Sequence, residues 1–182
     1  GCTFTGNDSL REPGGAMFLR NGAAATVKNS TFTGNATQVA GGAIYTAKAC
    51  VLRLENTVIT GNHSRNALAG GVYVASTADR LITTGKVVIA ENTNAFTTAG
   101  GNRQADLMFQ GQTDRTDLME VNQLGEGSRI NLFYYDAQSP VTTNDVASGY
   151  VKIEDGGAQD KWDCGWLTVY KDADITNGRT VS

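Results

Sequence analysis

The sequence predicts an all-β chain wound as a right-handed parallel β-helix, a solenoid of about 27–30 residues per coil with an irregular β-rich C-terminal part. Three observations predict it. A six-residue word recurs: Cys2-Thr3-Phe4-Thr5-Gly6-Asn7, Ser30-Thr31-Phe32-Thr33-Gly34-Asn35, Thr57-Val58-Ile59-Thr60-Gly61-Asn62 and, worn, Val87-Val88-Ile89-Ala90-Glu91-Asn92. A double glycine follows each, at Gly14-Gly15, Gly41-Gly42, Gly70-Gly71 and Gly100-Gly101. The chain holds 22 Gly and only 2 Pro, which suits many tight turns between short strands better than a disordered linker.

The first strand of each coil is the word itself. Side chains alternate across a strand, so Phe4, Phe32, Ile59 and Ile89 share the inward slot, and all are large and apolar. Thr3, Thr31, Val58 and Val88 share an outward slot, as do Thr5, Thr33, Thr60 and Ala90. Threonine and other β-branched residues suit a half-buried strand. The glycine permits a turn with positive φ.

The corner that follows is always asparagine: Asn7, Asn35, Asn62, Asn92. Coils stacked at about 4.8 Å place identical amides one above another, where they hydrogen-bond as a ladder. Stacked aspartates would repel, which accounts for the amide.

A second strand is expected after each double glycine, at Ala16–Leu19, Ala43–Thr46 and Val72–Ala75. A third is expected at Ala25–Val27, Val51–Leu54 and Arg80–Ile82. That makes three short strands per coil, with no 3.6-residue apolar period to suggest helices. Lys28 and Glu55 occupy the same slot of adjacent coils and are expected to pair on the surface.

Regular coils are assigned to residues 1–105, and 106–182 to irregular further coils or a β-rich cap of the same solenoid. Strand-like runs persist there, at Asp106–Phe109, Arg129–Tyr135 and Trp166–Tyr170, between glycine-rich turns. A solenoid end exposes a hydrophobic cross-section that needs covering.

Charge excludes some partners. Net charge is -3, but residues 1–100 carry eight Lys/Arg against five Asp/Glu, and the remainder seven against thirteen. No dense basic patch exists, so nucleic acid is not an expected partner. No apolar run approaches the roughly 18 residues of a membrane span, so the segment is not expected to insert by a helix. It opens inside a repeat word and is read as part of a longer chain. Cys2, Cys50 and Cys164 lack Cys-x-x-Cys spacing, and their odd count argues against a disulfide scaffold.

Phe-x-x-Asn at Phe4–Asn7 and Phe32–Asn35, with Gly41-Gly42-Ala43-Ile44, resembles the repeat of the chlamydial polymorphic outer-membrane proteins. Gly14-Gly15-Ala16-Met17 nearly matches the second motif, whereas the third coil departs at Ile59 and at Val72-Tyr73. Similar words occur in adhesin-like β-helical surface proteins of gut microbes. The resemblance spans residues 1–105. It implies a bacterial, surface-displayed or secreted adhesin segment without catalysis, located extracellularly or at the cell surface, with a host-surface protein or glycan as partner.

The alternative is a carbohydrate-active β-helix, a polysaccharide lyase or hydrolase with its site in 106–174. Glycoside hydrolysis needs paired carboxylates about 5–10 Å apart. Coils 1–4 offer only Asp8, Glu12, Glu55, Asp79 and Glu91, no two in one slot of neighbouring coils. No catalytic or metal-binding residue is assigned. The later acids, Asp114, Asp117, Glu120, Glu154, Asp155, Asp160, Asp163, Asp172 and Asp174, lack EF-hand or nonapeptide calcium spacing. No cofactor is expected, and calcium is the one candidate those acids allow. Trp162, Trp166, Tyr134 and Tyr135 are the weak ligand candidates, as a sugar-stacking platform or, more simply, cap packing. His63, the only histidine, reads as a surface turn residue. Sequons occur at Asn7, Asn29, Asn35 and Asn62, three of them ladder positions whose glycosylation would break the stack.

Overall fold

The computed structural model describes residues 1–66, 68–76, 78–98, 101–110, 119–124, 127–134, 151–155 and 167–169. Every regular element among them is a β-strand. The first coil holds β1 (Thr3–Thr5), β2 (Asp8–Ser9), β3 (Met17–Arg20) and β4 (Ala24–Lys28). The second holds β5 (Thr31–Thr33), β6 (Ala36–Thr37), β7 (Ile44–Ala47) and β8 (Val51–Glu55). The third holds β9 (Val58–Thr60), β10 (His63–Ser64), β11 (Val72–Val74) and β12 (Arg80–Gly85). The fourth holds β13 (Val88–Ala90), β14 (Thr93–Thr98), β15 (Gly101–Gln104), β16 (Leu107–Phe109) and β17 (Met119–Leu124). Beyond them lie β18 (Arg129–Tyr134), β19 (Val151–Asp155) and β20 (Leu167–Val169).

Corresponding strands pair in parallel and in register, Phe4 on Phe32, Phe32 on Ile59 and Ile59 on Ile89. The chain is therefore an all-β parallel solenoid. The apolar stack runs one rung past the repeat words, since Ile89 pairs with Ile130. Phe32, Ile59, Ile89 and Ile130 are wholly buried, and Phe4 stacks on Phe32 with ring centroids 4.4 Å apart. Leu52, Leu54 and Leu81 from the third strands and Ile44, Val72, Leu107 and Phe109 from the second complete one axial core.

The asparagine ladder forms as the spacing requires. The Nδ2–H of Asn7 donates to Oδ1 of Asn35, that of Asn35 to Asn62, and that of Asn62 to Asn92, each at 2.8 Å. The backbone N–H of each donates to the same oxygen, at 3.0–3.1 Å. Asn35, Asn62 and Asn92 are wholly buried. The preceding Gly6, Gly34 and Gly61 hold φ of 64–65°, and Glu91 in the worn copy is forced to 62°. Lys28 Nζ meets Glu55 Oε2 at 2.6 Å on the surface.

Two expectations are corrected. Each of the first three coils has four strands rather than three, because β2, β6 and β10 form a further sheet with β14 and β15. Its inward slot is polar: Thr37, Ser64 and Asn94 are buried. A strand whose buried face carries hydroxyls and amides leaves no hydrophobic signal to read.

The fourth double glycine does not occupy the repeat slot either. Gly101 lies in β15, which runs antiparallel to β14. Ala105 and Asp106 accept the backbone bonds of Gly70 and Val72 that mark the slot. The β14–β15 excursion displaced the glycines from their place in the coil. The real slot leaves no space: a Cβ on Gly71 would meet the Asp106 carbonyl and, at 2.9 Å, the Asn92 amide nitrogen.

The sheets continue into the residues assigned to the irregular part. β16 pairs with β11, β17 with β12 and β18 with β13, all in parallel. β18 also pairs with β16, at Leu107 and Leu132. One strand thus spans two columns that the asparagine corner separates in the preceding coils.

Candidate functional site

The second strands build the most distinctive outer face. In β3, Met17 and Leu19 turn toward the core and Phe18 and Arg20 away from it, by simple alternation. In-register pairing aligns Phe18, Tyr45, Tyr73 and Met108 along the solenoid axis. Phe18 meets Tyr45 edge-on at 5.3 Å and 83°, and Tyr45 stacks on Tyr73 at 5.5 Å and 21°. Arg20 places its guanidinium carbon 5.8 Å from the Phe18 ring centroid.

Exposure along the row is graded. Met108 and Tyr73 are 2% and 6% exposed, while Tyr45 and Phe18 are half-buried. Ala40, Ala69 and Ala105 pack around the row, with Val39 and Leu68 against them. This is a satellite apolar cluster outside the axial core. Burial raises the Tyr45 phenol above its ordinary pKa of 10.0, and nearby Asp79 adds to the effect. The phenol therefore stays protonated at neutral pH, able to donate and to accept one hydrogen bond.

A polar patch lies on the outer face of the β2–β6–β10 sheet. Arg65 forms a bidentate pair with Asp8, 2.6 and 2.7 Å long, across two coils. The Arg65 bond holds the Asp8 carboxyl below its ordinary value. His63 Nδ1 lies 2.9 Å from the Thr93 hydroxyl. Its pKa falls below the ordinary 6.5, first through burial and then through the Arg65 charge, so the ring is neutral at pH 7. His63 thus lies half-buried in β10 rather than in the expected surface turn, its neutral imidazole beside a guanidinium already paired with Asp8.

Asp79 is wholly buried. It accepts hydrogen bonds from Thr46 Oγ1 at 2.9 Å, the Cys50 amide at 2.7 Å and the Ser76 amide at 3.1 Å. It ties the loop before β12 to the coil beneath. Sequence reasoning placed it among the coil acids without finding this role, because its partners come from two other segments.

Asn7, Asn35, Asn62 and Asn92 are bound up in the ladder, and Phe4, Phe32, Ile59 and Ile89 in the stack. Tyr134 ends β18, while Trp162, Trp166 and Tyr135 lie outside the described residues. So do Asp114, Asp117, Asp160, Asp163, Asp172, Asp174 and Cys164. Cys2 is exposed and Cys50 buried, both as free thiols. Among the described residues, no three His, Cys, Asp or Glu side chains are grouped to hold a metal ion, and no helix is long and apolar enough to cross a membrane. The aromatic row was missed although the signal was present: Phe18, Tyr45 and Tyr73 share one slot after the double glycines. Compared with protein families, curated proteins and solved structures, the chain matches none.

Proposed function

We propose that this chain is an adhesin-like structural segment, displayed on a bacterial surface or secreted, that presents an extended binding face to a host-surface protein or glycan. The observation that carries this reading is the pair of half-buried rings Phe18 and Tyr45, aligned on adjacent coils with exposed Arg20 beside them and backed by buried Tyr73. A regular solenoid converts one slot of a repeat into a linear array, which suits binding along a surface rather than inside a pocket. Aromatic and arginine side chains are the types that most often dominate binding energy at interfaces. The polar groups of the ladder serve the fold: each buried corner amide bonds to the next rung and to a backbone carbonyl.

The test is direct binding of the 182-residue chain to host cells, immobilised mucin and a glycan array. Phe18→Ala with Tyr45→Ala is compared with Thr3→Ala with Thr5→Ala on a different face. Loss of about tenfold or more in affinity is expected for the aromatic pair alone. Equal behaviour of the two double variants, or no binding to any surface, would sink the proposal.

A further inference from the structure

The ladder has a direction, and it reverses at one residue. From Asn7 to Asn92 every corner amide donates forward, Nδ2–H to the next Oδ1. The next acceptor is not an asparagine. The Asn92 backbone N–H and Nδ2–H both donate to Oδ1 of Asp106, at 2.6 and 2.7 Å. From the other side, Asn131 turns its own Nδ2–H back to Oδ2 of Asp106, at 3.0 Å. Donors therefore converge on position 106 from both directions. Asp106 is 1% exposed and Asn131 2%.

Chemistry then selects the residue type. An asparagine at 106 has one oxygen and one NH2, so it receives from one side and must donate to the other. A carboxylate accepts on both oxygens and can close two donor trains at once. The same place is where the coil changes. β15 runs back along β14, and β18 crosses from the first-strand column to the second without a corner. The Asp106 carbonyl also accepts the Val72 N–H, so its backbone holds the β16 register while its side chain holds the ladder.

We propose that Asp106 is the terminating rung of the ladder, an acceptor-only carboxylate that reverses its polarity and thereby fixes the register of β16 and β18 where the four-strand coil ends. The Asn131 amide is thus oriented with its nitrogen toward Asp106, and its buried Oδ1 has no hydrogen-bond partner among the described residues. This inference is independent of the adhesive reading.

The experiment is a double-mutant cycle in the 182-residue chain, with Asn131→Asp, Asp106→Asn and both together. Unfolding midpoints and amide hydrogen exchange at 106–109 and 129–132 are read for each. Asn131→Asp sets two buried carboxylates against each other. Combined with Asp106→Asn, the amide at 106 donates forward and the new carboxylate at 131 becomes the terminator. Asn131→Asp is expected to speed exchange at those residues on the order of tenfold or more. The double variant is expected to recover most of that loss. The proposal is overturned if Asn131→Asp behaves as the parent chain, or if the double variant is no better than Asn131→Asp. If Asn131→Asp does not fold, folding of the double variant decides.

Discussion

Replacing Asn62 by leucine tests the ladder where it is most deeply enclosed. The Asn62 Oδ1 accepts from the Asn35 backbone N–H at 3.0 Å and from the Asn35 Nδ2–H at 2.8 Å. Its Nδ2–H groups reach Asn92 Oδ1, the Phe32 carbonyl and the Thr60 carbonyl. Leucine removes all of these and leaves the backbone bond from position 62 to Asn92. The Asn35 N–H then loses its acceptor inside a wholly buried site, at about 1–3 kcal/mol. The remaining under-used groups add a similar amount, and the buried methyls offset part of it, for a net loss of ~2–5 kcal/mol. For a chain of this size that is roughly 5–20 °C in the unfolding midpoint. Asn7→Leu is the internal control. The Asn7 side chain is exposed and acts only as a donor in the ladder. Its backbone bond to Asn35 survives the substitution, water replaces the side-chain bond, and the loss should stay within about 0.5 kcal/mol. The assay is thermal and urea unfolding followed by far-UV circular dichroism, with hydrogen exchange of the Asn35 amide as a local readout. Equal midpoint shifts for Asn7→Leu and Asn62→Leu would show that enclosure of the amides is not what stabilises the stack.

Glu91→Gly should stabilise the fold by about 0.5–1 kcal/mol, read as a higher midpoint in thermal and urea unfolding. Glu91 sits at φ 62° in a slot that the other coils fill with glycine, and a side chain is disfavoured there. Its contact with Arg129 is 3.5 Å long and exposed, so little is lost with it. His63 should make stability sensitive to mild acid. Its pKa in the fold lies below the ordinary 6.5, so the unfolded chain takes up the proton first as pH falls. Its contribution is fully present above about pH 6.5 and is lost as pH drops through the lower, folded-state value. His63→Gln should flatten the unfolding midpoint across that window, and an unchanged pH profile would contradict the assignment.

The solenoid was legible because its contacts repeat. Phe4, Phe32, Ile59 and Ile89 touch one another across coils, so similarity along the sequence reports neighbours in space. Lys28 and Glu55 could be paired for the same reason. Features that break the period could not be read this way. The β14–β15 excursion took Gly101 out of its slot and put Ala105 and Asp106 there. Asp106 lies only 14 residues from Asn92 in a ladder whose preceding steps are 27–30. The short strands β2, β6 and β10 escaped because their buried slot holds Thr37 and Ser64 rather than apolar residues.

Slot chemistry was thus determined by the sequence alone: an apolar stack, a glycine corner, an amide ladder and the parallel register that follows from them. Tertiary structure decided where the regularity ends and what lies at that end. An antiparallel excursion shifts the phase between sequence position and slot. Once the phase is lost, a residue such as Asp106 or Asp79 acquires its partners from segments that no fixed spacing connects.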